Sequence, residues 1–366
     1  MTPADRLSAI RRRMADEGID RLAAVHDGVH FIETPNPVMV LAGFKSLGPA
    51  AVVLDRDGGL QLFVTPEWDA ARAAEDCPEA RVTGVADVVD AVVAACGGKG
   101  VVSIAGLPFA PWHMTRRIEA AFPGAKPADK LVYGAANAKT ADEIAHAREA
   151  ARIAEAGFAR MLELARPGIS EDELAAEIRW HSKSLGAEDN FLMLCASPHN
   201  KAVQPSTGRR LREGDVLLAE ITPSYRGQLA QICRTASIGP SSAMLREKYA
   251  LVVEAMHAGI RAARPGAAMA EVCRAINTVL EAQGYGEFCY PPHIKRRGHG
   301  LGFGSIRPGD VALDNETVLE PGMVFMIHPN QYLPETGYLL CGEPVVLTEH
   351  GAEPLTRNYA ALADVD

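Results

Sequence analysis

An internal repeat in the second half of the chain limits what this sequence can fold into. The stretch ARPGISEDELAAEI from Ala165 is matched 98 residues later by ARPGAAMAEVCRAI from Ala263. A second pair follows, in which LREGDVLLAE ending at Glu220 matches LEPGMVFMIH ending at His328. Each copy has a helical pattern followed by an apolar strand that turns and returns. The repeat therefore predicts two helix-plus-hairpin units related by a pseudo-twofold axis, with their strands in one sheet.

The length of 366 residues favours two domains, because a single core seldom organises so long a chain. In the first part, the apolar runs AAVVLD and LQLFVT flank Asp57-Gly58-Gly59, which predicts a β-hairpin. A capping box, TADE from Thr140, opens a long helix. We therefore expect an α/β (α+β) protein with a small N-terminal α/β domain over 1–135 and a larger C-terminal domain over 139–366.

Composition excludes several classes of partner. The 46 acidic and 37 basic side chains give a net charge of -9, which disfavours binding to nucleic acid or to an anionic membrane. No apolar run is long enough for a membrane helix, and the polar start MTPADRLSAIRRRMADEG has no signal-peptide core. Seven cysteines without paired CxxC spacing fit reduced thiols. These features predict a cytoplasmic protein that acts on a small molecule.

Two ionisable residues occupy equivalent points of the repeat. Glu220 and His328 each lie on an apolar strand near the centre of the predicted sheet, where an ionisable side chain is costly to bury unless it is partnered or used. One interpretation is that both are hydrogen-bonded core groups. The other is that they form a functional pair near the pseudo-twofold axis, and the symmetric placement favours this second interpretation.

Six short motifs carry a resemblance to a known family. They are TADEI at Thr140, RPG at Arg166, GDV at Gly214, RT at Arg234, GHGLG at Gly298 and EPGMV at Glu320. Over about Lys139 to Thr348, the chain resembles the creatinase, aminopeptidase P and prolidase family. The resemblance implies the pita-bread fold, whose internal duplication agrees with the repeat, and a homodimer.

The resemblance also implies a metal centre that this sequence alters. The family's metallopeptidases hold two metal ions with two aspartates, one histidine and two glutamates. The corresponding positions here are Glu220, Gln231, His299, His328, and either Cys341 or Gly342. Shared anionic oxygens offset the repulsion between two adjacent dications, so the loss of bridging carboxylates predicts that no metal pair forms. The alternative is one divalent ion bound by Glu220, His299 and His328.

Without a metal, imidazole and carboxylate groups must move the protons of hydrolysis. His299, in a glycine-bounded loop, is the first candidate for general acid/base catalysis. Glu220 could orient it or act as the base for water, and His328 could carry the second proton. We therefore predict a metal-independent, creatinase-like hydrolase that cleaves an amide, urea or amidine C–N bond. The alternatives are a mononuclear metal-dependent Xaa-Pro peptidase-like hydrolase or lyase of the same family, and a non-catalytic binding protein.

Four further residues are predicted to bind the substrate. Arg307 follows the GHGLG loop, and its guanidinium could clamp a carboxylate, which implies an anionic substrate. Gln231 occupies an altered metal position. The segment 197–205 corresponds to a family stretch that supplies a catalytic histidine; here that place falls near Gln204, with His199 as a possible substitute. The neighbouring Arg296 and Arg297 are expected to be solvated surface charges.

Overall fold

The computed structural model describes residues 3–26, 36–98, 100–302 and 307–365. The chain divides into two compact units, Met1–Thr140 and Ala141–Asp366. Each has its own core. Among the helices of the described ranges, none is both long and apolar enough to cross a membrane.

The first unit is built on a six-stranded mixed sheet in the order β4-β3-β2-β1-β5-β6. Its strands are β1 (Arg21–His26), β2 (Ala50–Asp55), β3 (Leu60–Val64), β4 (Ala80–Gly84), β5 (Val102–Ala105) and β6 (Lys126–Pro127). Its helices are α1 (Pro3–Asp16), α2 (Pro37–Ala42), α3 (Ala70–Asp76), α4 (Val88–Cys96), α5 (Trp112–Ala121) and α6 (Asp129–Ala135). Strands β2 and β3 are antiparallel, with Ala50 opposite Val64, so the hairpin predicted around Asp57 is confirmed.

The second unit repeats one pattern, two helices followed by strands. The first copy contains α7 (Ala141–Leu164), α8 (Glu171–Ser184), β7 (Asn190–Ser197), β8 (Val216–Tyr225), β9 (Gln228–Leu229) and β10 (Ile232–Ile238). The second contains α9 (Ala243–Ala262), α10 (Met269–Ala282), β11 (Gly298–Gly300), β12 (Val324–Ile327), β13 (Gln331–Leu333), β14 (Gly337–Leu339), β15 (Glu343–Thr348) and β16 (Gly351–Pro354), and β17 (Ala363–Val365) follows. The order of the elements confirms the duplication.

The strands of the two copies form separate sheets. One has the order β17-β10-β8-β7 and the other β11-β12-β15-β16. They meet at an isolated antiparallel pairing of Cys233 with Gly342, whose backbone N–H groups donate to each other's carbonyls at 3.3 and 3.2 Å. The sequence predicted one continuous sheet, and this was wrong. The two sheets are joined by only one pair of hydrogen-bonded residues.

Helices cover one face of the first copy's sheet. Ala219, Ile221 and Ile232 alternate along β8 and β10 with the polar residues, and they pack with Ile178 of α8 and Met161 of α7 in one apolar cluster. Successive strand residues point to opposite faces. Glu220 and its polar neighbours therefore point away from these helices.

Candidate active site

The candidate site lies on both sides of the junction between the two sheets. Glu220 on β8 is directly opposite Cys233 on β10. Cys233 pairs with Gly342, and a side chain placed at Gly342 would touch His328. The two repeat-related residues thus lie in one row across the junction, and each copy of the repeat supplies one wall.

The Glu220 carboxyl lies on β8 and is partly buried. Burial raises its pKa to about 7, against the opposing influence of the Arg296 charge and of a hydrogen bond from Cys233. A carboxyl with a pKa near neutrality can take or give a proton at physiological pH. Glu220 is therefore suited to acid/base chemistry.

Cys233 connects the two walls without being a reactive thiol. Its sulfur accepts hydrogen bonds from Gln231 Nε2 and Asn330 Nδ2, both at 3.7 Å, and its thiol donates to Glu220 Oε2 at 3.9 Å. Burial, followed by the nearby Glu220 charge, raises its pKa well above the usual range. A neutral thiol is a poor nucleophile, so Cys233 acts here as a hydrogen-bonding group.

His299 and His328 face each other, with ring centroids 5.3 Å apart in an edge-on arrangement. The His299 Nδ1–H donates to the carbonyl of Gly300 at 3.0 Å, which directs Nε2 away from the backbone. The His328 backbone N–H donates to the carbonyl of Arg297 at 2.9 Å. His328 Nδ1 is buried, and no described residue forms a hydrogen bond with it.

The pKa of His328 is well below its ordinary value. Burial is the main cause, and the neighbouring His299 and Arg296 act in the same direction. A neutral imidazole with an unpartnered nitrogen can accept a hydrogen bond from a substrate N–H group. The structure thus gives the two histidines different environments.

Of the two candidates for the last position, Cys341 and Gly342, only Gly342 lies opposite His328. The pairing of Ile327 with Glu343 places the next residues of the strands, His328 and Gly342, opposite each other. Cys341 points elsewhere, with its Sγ 3.7 Å from Met256 Sδ. A Cβ at Gly342 would lie 2.6 Å from both His328 Cβ and Met326 Cε. This position has neither a carboxylate nor room for one.

The residues therefore do not fit a paired-metal centre. Gln231 supplies an amide that is engaged with Cys233, and Gly342 supplies no side chain. Glu343, the next carboxylate along the strand, is fully buried and forms a 2.9 Å ion pair with Arg234. Within the described ranges, no three His, Cys, Asp or Glu side chains are arranged so as to hold a metal ion.

The two arginines before the GHGLG loop differ from each other. Arg297 was predicted to be a surface charge, and this was wrong, since it is 1% exposed. Its Nε donates to Asn277 Oδ1 at 2.7 Å and its Nη1 to Gln331 Oε1 at 2.9 Å. Arg296 is partly exposed and pairs with Asp310 at 3.0 Å. Its positive charge lowers the pKa of both Glu220 and His328, an influence that the sequence analysis missed.

The predicted substrate-binding residues differ in their surroundings, since Arg307 packs beside the His299 strand whereas His199 and Gln204 are exposed. The Arg307 backbone lies against Gly300, where an added Cβ would be 2.1 Å from the Arg307 carbonyl carbon. The buried Arg307 Nε has no hydrogen-bond partner among the described residues. His199 is exposed and its Nε2–H donates to the Pro334 carbonyl at 3.0 Å. Gln204 is also exposed, and its carbonyl accepts from the Leu194 N–H. Their roles in binding stay predictions.

Comparison with known proteins places this chain in a family. Residues 145–349 match the model of metallopeptidase family M24. An uncharacterized peptidase of Bacillus subtilis, YqhT, is 32% identical over 227 residues, which cover 60% of this chain and 62% of the relative. The Xaa-Pro dipeptidase of Pyrococcus furiosus is 26% identical over 364 residues, 98% of this chain and 99% of the relative.

Solved structures agree with this assignment at the level of the fold. Prolidase from Pyrococcus furiosus has a TM-score of 0.83 at 24% identity, covering 95% of this chain and 99% of that structure. The Xaa-Pro dipeptidase from Bacillus anthracis has a TM-score of 0.84 at 23% identity, covering 99% and 100%. The chain belongs to metallopeptidase family M24 and has the pita-bread fold of the prolidases, as the sequence motifs implied.

Proposed function

We propose that this protein is a metal-independent hydrolase that cleaves a C–N bond in a small, polar, anionic molecule, in the manner of creatinase. The observation that carries the proposal is the state of the two bridging positions. Gln231 replaces one carboxylate by an amide, and at Gly342 the space for a side chain is taken by His328 and Met326. Glu220, His299 and His328 remain at the positions of the family's metal ligands. We therefore assign the proton transfers of hydrolysis to these three side chains.

The proposed roles follow from the environments of the three groups. Glu220, with a pKa of about 7, accepts a proton from the attacking water. His299, protonated on both ring nitrogens, gives its Nε2 proton to the leaving nitrogen as the C–N bond breaks and keeps the Nδ1 proton bonded to Gly300. His328, which is neutral, accepts a hydrogen bond from the substrate through Nδ1. Solvent then removes the proton from Glu220 and restores the one lost by His299, so the cycle closes.

Two arginines near these groups support a substrate that carries a negative charge. Arg296 is close enough to affect both Glu220 and His328, and Arg307 has an unpartnered Nε beside the His299 strand. Guanidinium groups bind carboxylates through paired hydrogen bonds. Guanidino acids and ureido acids have both the required C–N bond and a carboxylate.

The test is elemental analysis of the purified protein, followed by assays of guanidino acids, ureido acids and Xaa-Pro dipeptides after exhaustive chelation. We expect no stoichiometric metal, full turnover after chelation, and a loss of about 100-fold or more in kcat for His299→Asn. The control is His350→Gln, a substitution at an exposed turn. Turnover that disappears on chelation and returns with one added divalent ion would instead support the mononuclear alternative.

A second candidate is hydrolysis of the peptide bond before proline. Similarity to a Xaa-Pro dipeptidase over 98% of the chain favours it. Xaa-Pro dipeptides also carry a carboxylate, so the same arginines could bind them. Preferential turnover of the dipeptides in the panel would select this substrate. The homodimer and the cytoplasmic location also stay proposals.

A further inference from the structure

A buried hydroxyl on the same strand as Glu220 has no hydrogen-bond partner in the part of the chain that the structure describes. Thr222 is 0% exposed, and its Oγ1 is unpartnered among the described residues. Its backbone N–H is satisfied by Asn190 Oδ1 at 3.2 Å. Buried polar groups in native proteins are nearly always hydrogen-bonded, to protein or to ordered water. This hydroxyl therefore indicates a binding position for a small polar molecule.

The strand register fixes where this hydroxyl lies. Thr222 follows Glu220 by two residues on β8, so both side chains project from the same face, while Ile221 between them packs into the helix-covered core. Cys233 is opposite Glu220 and Ile232 is opposite Ile221. The next residue, Gln231, comes opposite Thr222. The four residues Glu220, Thr222, Gln231 and Cys233 form a polar quartet.

The hydrogen bonds within the quartet do not involve the Thr222 hydroxyl. Gln231 Nε2 donates to Cys233, and Cys233 donates to Glu220 Oε2. The other carboxyl oxygen, Oε1, is not the atom that this thiol contacts, and the carboxyl projects from the same face of β8 as Thr222. A water molecule between the two would give Thr222 a partner and would lie against the group that removes its proton.

We propose that Thr222 and Glu220 together bind a water molecule and hold it as the nucleophile of the hydrolysis, an inference that rests on the proposed function. In the step, the water oxygen forms a bond to the carbon of the scissile C–N bond, and one water proton passes to Glu220. The C–N bond then breaks, the nitrogen keeps the electron pair, and His299 supplies its proton. The Thr222 hydroxyl is unchanged and acts by orienting the water.

Two substitutions separate this role from a structural one. Thr222→Val keeps the shape of the side chain and removes the hydroxyl, so we expect kcat to fall by about 100-fold with KM within about twofold. Thr222→Ser keeps the hydroxyl and is expected to retain kcat within about threefold. Thr278→Val, at an exposed position of α10, is the matched control. Equal kcat values for wild type and Thr222→Val would overturn the proposal.

A second readout does not depend on turnover. A high-resolution crystal structure of the wild-type protein should show a water within hydrogen-bond distance, about 2.8 Å, of both Thr222 Oγ1 and Glu220, and Thr222→Val should lack it. Absence of that water in the wild type overturns the inference even if the enzyme is active. A peak about 2.1 Å from Glu220 identifies a metal ion and overturns both proposals. If the wild type hydrolyses none of the substrates, the function fails, and the density alone decides whether the water site exists.

Discussion

Replacing Glu220 by glutamine should make the protein more stable while removing its activity. The carboxyl has a pKa of about 7 in the folded protein, compared with an ordinary value of 4.5. Since the folded state binds this proton more tightly, the associated stability is fully present below pH 4.5 and is lost as the pH rises through 7. A difference of about 2.5 pKa units, at about 1.4 kcal/mol each, corresponds to roughly 3 kcal/mol at pH 8. The glutamine amide of the variant does not ionise, so the variant does not lose this stability as the pH rises.

The assay is urea denaturation of the wild type and Glu220→Gln at pH 4.5 and pH 8. The variant's advantage in free energy of unfolding should grow from near zero to about 3 kcal/mol between the two conditions. Glu349→Gln, at an exposed turn, is the control and should show no such growth. An advantage that is equal at both pH values, or a variant that is less stable at pH 8, would refute the assignment of a desolvated carboxyl.

Two further substitutions test the packing around the junction. Arg234→Ala leaves the fully buried Glu343 without its ion-pair partner. The free energy of unfolding, measured by urea denaturation, should therefore fall by about 3 to 5 kcal/mol. A loss below about 1 kcal/mol would contradict the buried ion pair. Gly342→Ala places a methyl group 2.6 Å from His328 Cβ and Met326 Cε. The free energy of unfolding, followed by thermal unfolding, should therefore fall by about 1 to 3 kcal/mol. An unchanged midpoint temperature would mean that the strand can shift to make room.

The repeat made the larger features of the fold predictable. Equivalent apolar segments that contain Glu220 and His328 indicated that these residues lie at corresponding places, and the structure puts them in one row across the junction. The hairpin around Asp57 could also be predicted, because it is determined by turn residues that lie between two apolar runs adjacent in sequence. Such patterns are informative when the determining contacts are close in sequence.

Other features depend on contacts that the sequence does not display. Arg297 belongs to a run of basic residues typical of a surface, yet Asn277 and Gln331, distant along the chain, bind its guanidinium in the interior. Thr222 carried no signal, because an unpartnered hydroxyl becomes visible only when the surroundings of the side chain are known. The spacing also did not tell whether Cys341 or Gly342 faces His328, because this depends on the pairing of the two strands, which places Gly342 there.

The crowding over Gly342 also restricts which side chains this position accepts. A carboxylate placed at position 342 would meet the Met326 methyl group and the His328 side chain, which occupy the space that it needs. At least one of those neighbours would have to change first, and until then the new carboxylate would harm packing without gaining a function. Position 342 is thus coupled to positions 326 and 328, so that a change at one of them alters what the others tolerate.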